Sequence, residues 1–214
     1  MYRNSPINIW FLIVSMAVAL CGCNTSPKAK ESKYLKRGEA LLAQHDFSRA
    51  LLEFRNASKA VPNDAEPFYQ MGLAYLGSDD LVKASRAFRK ATELNPNHTE
   101  AQLKLAKLLE STRSKSLIED ASKRLETILT NSPDNSDASD TLAMAELKLG
   151  KDEDATKRLE ETLAKFPSHL QSAVELAKSK MSRNDPAGAQ EVLQKAVASA
   201  PQSPQAALAL GLFG

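Results

Sequence analysis

Chemistry needs reactive side chains at workable spacing, and this chain of 214 residues offers few. Its three histidines, His45, His98 and His169, lie far apart, with none in helical reach of another. They form no metal-ligand pattern and read as turn or cap residues. The only cysteines are Cys21 and Cys23, so no disulfide framework and no cysteine zinc site is expected. No glycine run makes a phosphate-cradling loop or a dinucleotide fingerprint, and no Gly-x-Ser-x-Gly elbow occurs. Acidic pairs such as Asp79-Asp80 and Glu160-Glu161 read as solvated turn and helix-face charge. The residue inventory therefore gives no support to an enzyme, a cofactor or a small-molecule substrate. Charge is nearly balanced, 28 basic against 26 acidic side chains, and no basic block stands out. A nucleic-acid footprint is thus not expected. Binding is the class that remains.

The elements that would position a binding surface are read from Ala65–His98, AEPFYQMGLAYLGSDDLVKASRAFRKATELNPNH. Apolar residues recur three and four apart in two runs, Phe68 to Tyr75 and Ala84 to Ala91. Such spacing makes two amphipathic helices, joined by the polar turn Gly77-Ser78-Asp79-Asp80 and stopped at Pro96. Gly72 and Ala84 are small where the two helices must approach closely. The frame recurs in 31–64, 65–98, 99–135, 136–169 and 170–203, with a period of 34 residues. Unit 99–135 carries a surplus, placed in the turn Ser111–Ser116. Turns are expected near His45, Gly77, Arg113, Gly150 and Asn184, and helix stops at Pro62, Pro96, Pro133, Pro167 and Pro201. With only 6% aromatic residues, Leu and Ala must supply most of the packing.

The pattern Phe68, Met71, Gly72, Tyr75, Ala84, Phe88, Ala91, Pro96 resembles the tetratricopeptide repeat. The resemblance covers Glu31 to Ser203 and implies an all-α fold, a right-handed solenoid of stacked antiparallel helix pairs. Residues 204–214 (PQAALALGLFG) read as the start of a truncated sixth unit, with Leu210 and Gly211 standing where Met71 and Gly72 stand. This suggests a fragment of a longer array.

The first 22 residues read as a leader. Arg3 gives a positive start, and Ile9–Leu20 is apolar but too short for a comfortable span. Leu20-Cys21-Gly22-Cys23 looks like a bacterial lipobox, which implies a covalent lipid on Cys23. The competing frame on Cys21 would put the bulky Leu20 before the cut. Residues 24–30 (NTSPKAK) read as a polar linker, so the repeats hang close to the membrane. By the sorting tendency of Gram-negative lipoproteins, Asn24 implies a periplasm-facing position on the outer membrane. Lys33-Tyr34-Leu35-Lys36-Arg37-Gly38 after a lipobox also resembles tetratricopeptide lipoproteins of exosortase-linked systems.

In this family the first helix of each pair lines a concave groove for a peptide. Carried onto this chain, the exposed inner positions are Leu35, Glu39 and Leu42, then Tyr69, Leu73 and Leu76. Leu103, Lys107 and Glu110 follow, then Asp140, Met144 and Leu147, and finally Val174, Lys178 and Met181. Leu35 and Glu39 stand where the chaperone-binding subfamily has its Lys and Asn, so that carboxylate clamp is not carried over. Substitutions on the second helices, such as Lys90→Ala or Arg158→Ala, are expected to be harmless outer-face changes. The resemblance implies a non-catalytic, lipid-anchored scaffold gripping protein segments of an export, secretion or outer-membrane assembly. The alternative is the repeat region of a longer cell-wall or polysaccharide-processing enzyme with its catalytic domain beyond the C-terminus.

Overall fold

The computed structural model describes residues 26–199, all of whose regular structure is helical. The expected leader, the expected lipidation site Cys23, the expected helix stop Pro201 and the expected sixth-unit start lie outside the described residues. The chain divides into two compact units, Met1–Asn63 and Asp64–Gly214. The first holds the helix pair α1 (Pro27–Ala43) and α2 (Phe47–Ala60). The second holds α3 (Glu66–Gly77) with α4 (Leu81–Leu94), and α5 (Thr99–Glu110) with α6 (Lys115–Asn131). It continues with α7 (Ser136–Lys148) and α8 (Asp152–Lys165), then α9 (Leu170–Ser182) and α10 (Pro186–Ser199).

Helix ends follow local chemistry. Asp46, Asp80 and Asn135 accept the backbone N–H three residues on, at 3.1, 3.0 and 2.9 Å. Each satisfies a donor that the first turn leaves orphaned. The stops fall at Ala60, Leu94, Asn131 and Lys165, each two residues before Pro62, Pro96, Pro133 or Pro167. Proline disfavours the helical conformation of the residue preceding it. Four of the tight turns between paired helices share one device. His45, Asp79, Gly150 and Asn184 take φ of 59°, 59°, 75° and 62°. The next N–H then reaches back to the carbonyl five residues earlier, as Asp80 does to Tyr75 at 2.9 Å. This is a Schellman closure, and it needs a left-handed residue. The second turn thus pivots on Asp79, while Gly77 is still helical.

Two sequence expectations are displaced. The surplus of unit 99–135 does not lie wholly in the turn, which runs only from Ser111 to Ser114. It mostly lengthens α6 at its start, where Leu117 packs on the core and Ile118 is buried. Those apolar residues favour a helical turn over a polar loop. The stretch read as linker is also shortened, because α1 starts at Pro27. Ser26 caps it by accepting the Ala29 N–H at 3.2 Å, and proline suits the first helical position.

Within each pair the crossing is set by volume. A Cβ on Gly38 would lie 2.3 Å from the Phe54 ring, and one on Gly72 2.4 Å from the Phe88 ring. Both rings are fully buried. In the three later pairs Ala106, Ala143 and Ala177 replace the glycine, and Leu125, Leu159 and Leu193 replace the phenylalanine. One methyl gained on one helix matches a ring shrunk to a branched chain on the other, so the crossing stays filled.

Candidate functional site

In the second unit α5 packs on α7 and α7 on α9, in addition to the contacts each makes with its own partner. The second helices α4, α6, α8 and α10 make no comparable contact among themselves. Helices α5, α7 and α9 therefore lie side by side and present a shared face, which α3 adjoins where Tyr69 meets His98 at the start of α5.

The sequence-predicted residues of that face are mostly less free than expected. Tyr69, Leu73, Leu76 and Leu103 are half-buried and pack on the core cluster around Phe88 and Leu105. The Tyr69 ring lies 5.9 Å from Phe88 and 4.7 Å from His98, centroid to centroid. Burial, with Glu100 and Glu66 nearby, pushes its hydroxyl above the ordinary phenol range. Leu147 packs beside Ala143 and Leu159, and Val174 beside Ala177 and Leu193. Met144 is half-buried and Met181 exposed. Lys107 pairs with Asp137 at 3.1 Å and Lys178 with Glu175 at 2.9 Å. Glu110 pairs with Lys148 at 2.8 Å. Leu35, Glu39 and Leu42 belong to the first unit, where the two leucines are half-buried and Glu39 is exposed.

Asp140 is a clear correction: it was expected to be an exposed inner position, yet it is only 6% accessible. The Ser172 hydroxyl on α9 donates to Asp140 Oδ1, and His169 Nδ1 lies 2.8 Å from Ser172 Oγ and 3.4 Å from Asp140 Oδ2. Burial raises the Asp140 carboxyl above the usual range, with Asp137 and Glu175 adding to the rise. The Ser172 hydrogen bond and the His169 charge oppose it. The trio has the residue types of a hydrolytic triad but not its order. A nucleophilic serine gives its proton to histidine, whereas Ser172 gives it to the carboxylate and is wholly buried. The arrangement is a buried polar bridge between α7 and α9.

The reading of the histidines as turn or cap residues holds for His98, which caps α5; their contacts with neighbouring carboxylates are what sequence reasoning missed. His98 accepts the Ala101 N–H at 3.3 Å and stands 3.4 Å from both Glu66 and Glu100. His98 and His169 each precede the start of a first helix, and that shared register was the available signal. Arg158 was also misplaced. Its guanidinium grips buried Glu146 through two bonds of 3.0 and 2.7 Å, tying α8 to α7. That pairing holds Arg158 still further above its ordinary pKa. Among the described residues no group of three or more His, Cys, Asp or Glu could hold a metal ion.

The comparisons with known proteins agree with this architecture. Residues 24–173 match the family model of the cytochrome c-type biogenesis protein H TPR domain, and residues 153–212 match a tetratricopeptide repeat model. No curated protein sequence matches the chain. Among solved structures it is similar to MamA from Desulfovibrio magneticus RS-1, with 23% identity and a TM-score of 0.70. That match covers 78% of this chain and 93% of that one. It is also similar to PilW, a type IV pilus biogenesis factor, with 18% identity, a TM-score of 0.70 and coverage of 85% and 86%. A third similar structure is YrrB, described as a TPR protein with an unusual peptide-binding site, with 18% identity, a TM-score of 0.65 and coverage of 82% and 89%. At these identities the likeness speaks to the fold alone. With ten helices in antiparallel pairs among the described residues, a small residue at each of their crossings and a family match over most of its length, the chain belongs to the tetratricopeptide repeat family represented by the cytochrome c-type biogenesis protein H TPR domain.

Proposed function

We propose that the protein is a non-catalytic scaffold that holds a protein or peptide segment on the shared face of α3, α5, α7 and α9. The observation that carries this reading is the composition of that face. Half-buried apolar side chains, Leu73, Leu103 and Met144 among them, alternate with ion pairs that already fix the charged groups in place. Such a surface is pre-organised, so a bound segment loses little free energy to reordering of the scaffold. Methionine adds a surface able to adapt to its partner. That the neighbour YrrB is described as having a peptide-binding site supports the same reading.

The second part of the proposal is place. Cys23 carries a covalent lipid after removal of the leader, and the repeats face the periplasm, on the outer membrane by the Asn24 tendency. The partner is then a segment of an envelope assembly for export, secretion or outer-membrane biogenesis. That the similar PilW is a type IV pilus biogenesis factor supports this class of partner. The test uses the full chain with two charge-introducing changes on the first helices, Met144→Glu and Met181→Glu. Lys178 stays in place because it holds buried Glu175. Met144 is half-buried and Met181 exposed, so helicity should hold while capture of the native partner weakens at least about tenfold. Undiminished capture would mean that the shared face is not the binding surface.

A further inference from the structure

Helix α1 carries a charged stripe for which the peptide-binding face has no use. Lys30, Lys33, Lys36 and Arg37 are all exposed. At 3.6 residues per turn they fall within an arc of about 120° on one side of the helix. Gly38 and Glu31 mark the buried side. The acids of α1 are Glu31, which is buried and pairs with Lys28 at 2.6 Å, and Glu39, which lies outside the arc. None of the four cations has an ion pair among the described residues. Elsewhere cations are commonly neutralised, as Arg49 is by Asp46, Arg124 by Asp120 and Lys165 by Asp134. Like charges three and four apart on a helix repel, so the stripe destabilises α1 when it stands alone. An anionic surface would relieve that repulsion. The sequence shows no basic block because alanine, serine, glutamate and apolar residues interleave the cations; only the helix gathers them.

We propose that this stripe docks α1 side-on against an anionic phospholipid surface, an inference that rests on the lipid-anchor reading of Cys23. With α1 starting at Pro27, only Asn24, Thr25 and Ser26 separate Cys23 from the helix. Three residues reach at most about 11 Å. The stripe spans seven helical steps, about 10 Å along the axis, so all four cations can stand within one Debye length of the headgroups. A basic patch beside a covalent lipid adds an electrostatic attraction to the hydrophobic one and sets how the helix lies on the surface.

The test reconstitutes the processed full chain into vesicles of phosphatidylcholine alone or with phosphatidylglycerol, each doped with a phospholipid carrying a photoactivatable headgroup. Labelled residues are mapped by mass spectrometry, which also reads the mass of the N-terminus. The expected result is labelling of α1 about tenfold or more stronger on the anionic vesicles at low salt. High salt, or Lys30→Gln, Lys33→Gln, Lys36→Gln and Arg37→Gln together, should remove most of that difference. Equal labelling on both vesicles overturns the proposal, as does indifference to salt, and neither arm depends on the variant folding. Protection of α1 by soluble polyphosphate without labelling by the anionic bilayer also overturns it. An acylated Cys23 with no effect of lipid charge defeats the stripe and spares the anchor. An unmodified Cys23 with a clear effect of lipid charge defeats the anchor and spares the stripe.

Discussion

Gly72→Ala and Phe88→Leu, alone and together, test the volume rule that sets each helix crossing. The new Cβ would sit 2.4, 2.6 and 2.8 Å from three Phe88 ring atoms, so the ring must move by about 1 Å or the helices must part. Overpacking of this kind costs about 1–3 kcal/mol. Replacing glycine by alanine inside a helix returns up to about 1 kcal/mol, so the single change should cost about 1–2 kcal/mol. Phe88→Leu leaves a void in a fully buried site and should cost about 1–2 kcal/mol by itself. The double variant recreates the pairing of Ala106 with Leu125, Ala143 with Leu159 and Ala177 with Leu193. It should lie within about 1 kcal/mol of wild type, a favourable coupling of roughly 2 kcal/mol. Urea unfolding of the full chain, followed by far-UV circular dichroism at matched m-values, reads all four corners. Costs that add to within about 0.5 kcal/mol would refute the complementarity.

Three further outcomes follow from the same geometry. Arg158→Ala should destabilise by about 2–3 kcal/mol, because it strands a buried carboxylate, whereas exposed Lys90→Ala should stay within about 0.5 kcal/mol by the same denaturation. Asp140→Asn should raise Tm near neutral pH and lose that advantage in acid. The folded-state pKa is raised, so the aspartate's contribution is present below its unfolded value, near 3.9, and is lost as pH rises through the folded one. A Tm gain that is unchanged across this window would contradict the burial argument. Asp79→Gly should be neutral or stabilising and Gly150→Ala destabilising by about 1 kcal/mol, since both positions are left-handed, as thermal melts would show.

The hairpin frame was legible because interior volume repeats: Gly72 before Phe88 and Ala84 beneath them fix period and crossing in the residue types themselves. The stops were legible because proline acts on its immediate neighbours. The binding face was less so. Inner positions such as Tyr69 and Leu103 look alike in sequence whether they project or lean on an adjoining helix, and here they lean on the core. Asp140 reads as a surface charge until Ser172 and His169 arrive from a helix 32 and 29 positions away. Arg158 reads as outer charge until Glu146 faces it across the pair. Lys115 and Ser116 read as part of the polar run before them, and the burial of Leu117 and Ile118 just beyond turns that segment helical.

The most direct test of the scaffold reading is site-specific photocrosslinking in cells that make the full-length protein. A photoreactive amino acid is placed singly at Lys104, Met144 or Lys178 on the first helices, and at Lys90, Lys157 or Lys195 on the second. The account predicts a crosslinked partner from the first three positions, with the same partner mass at each, and none from the last three. Crosslinks confined to the second-helix positions would contradict it and move the working surface to the other side.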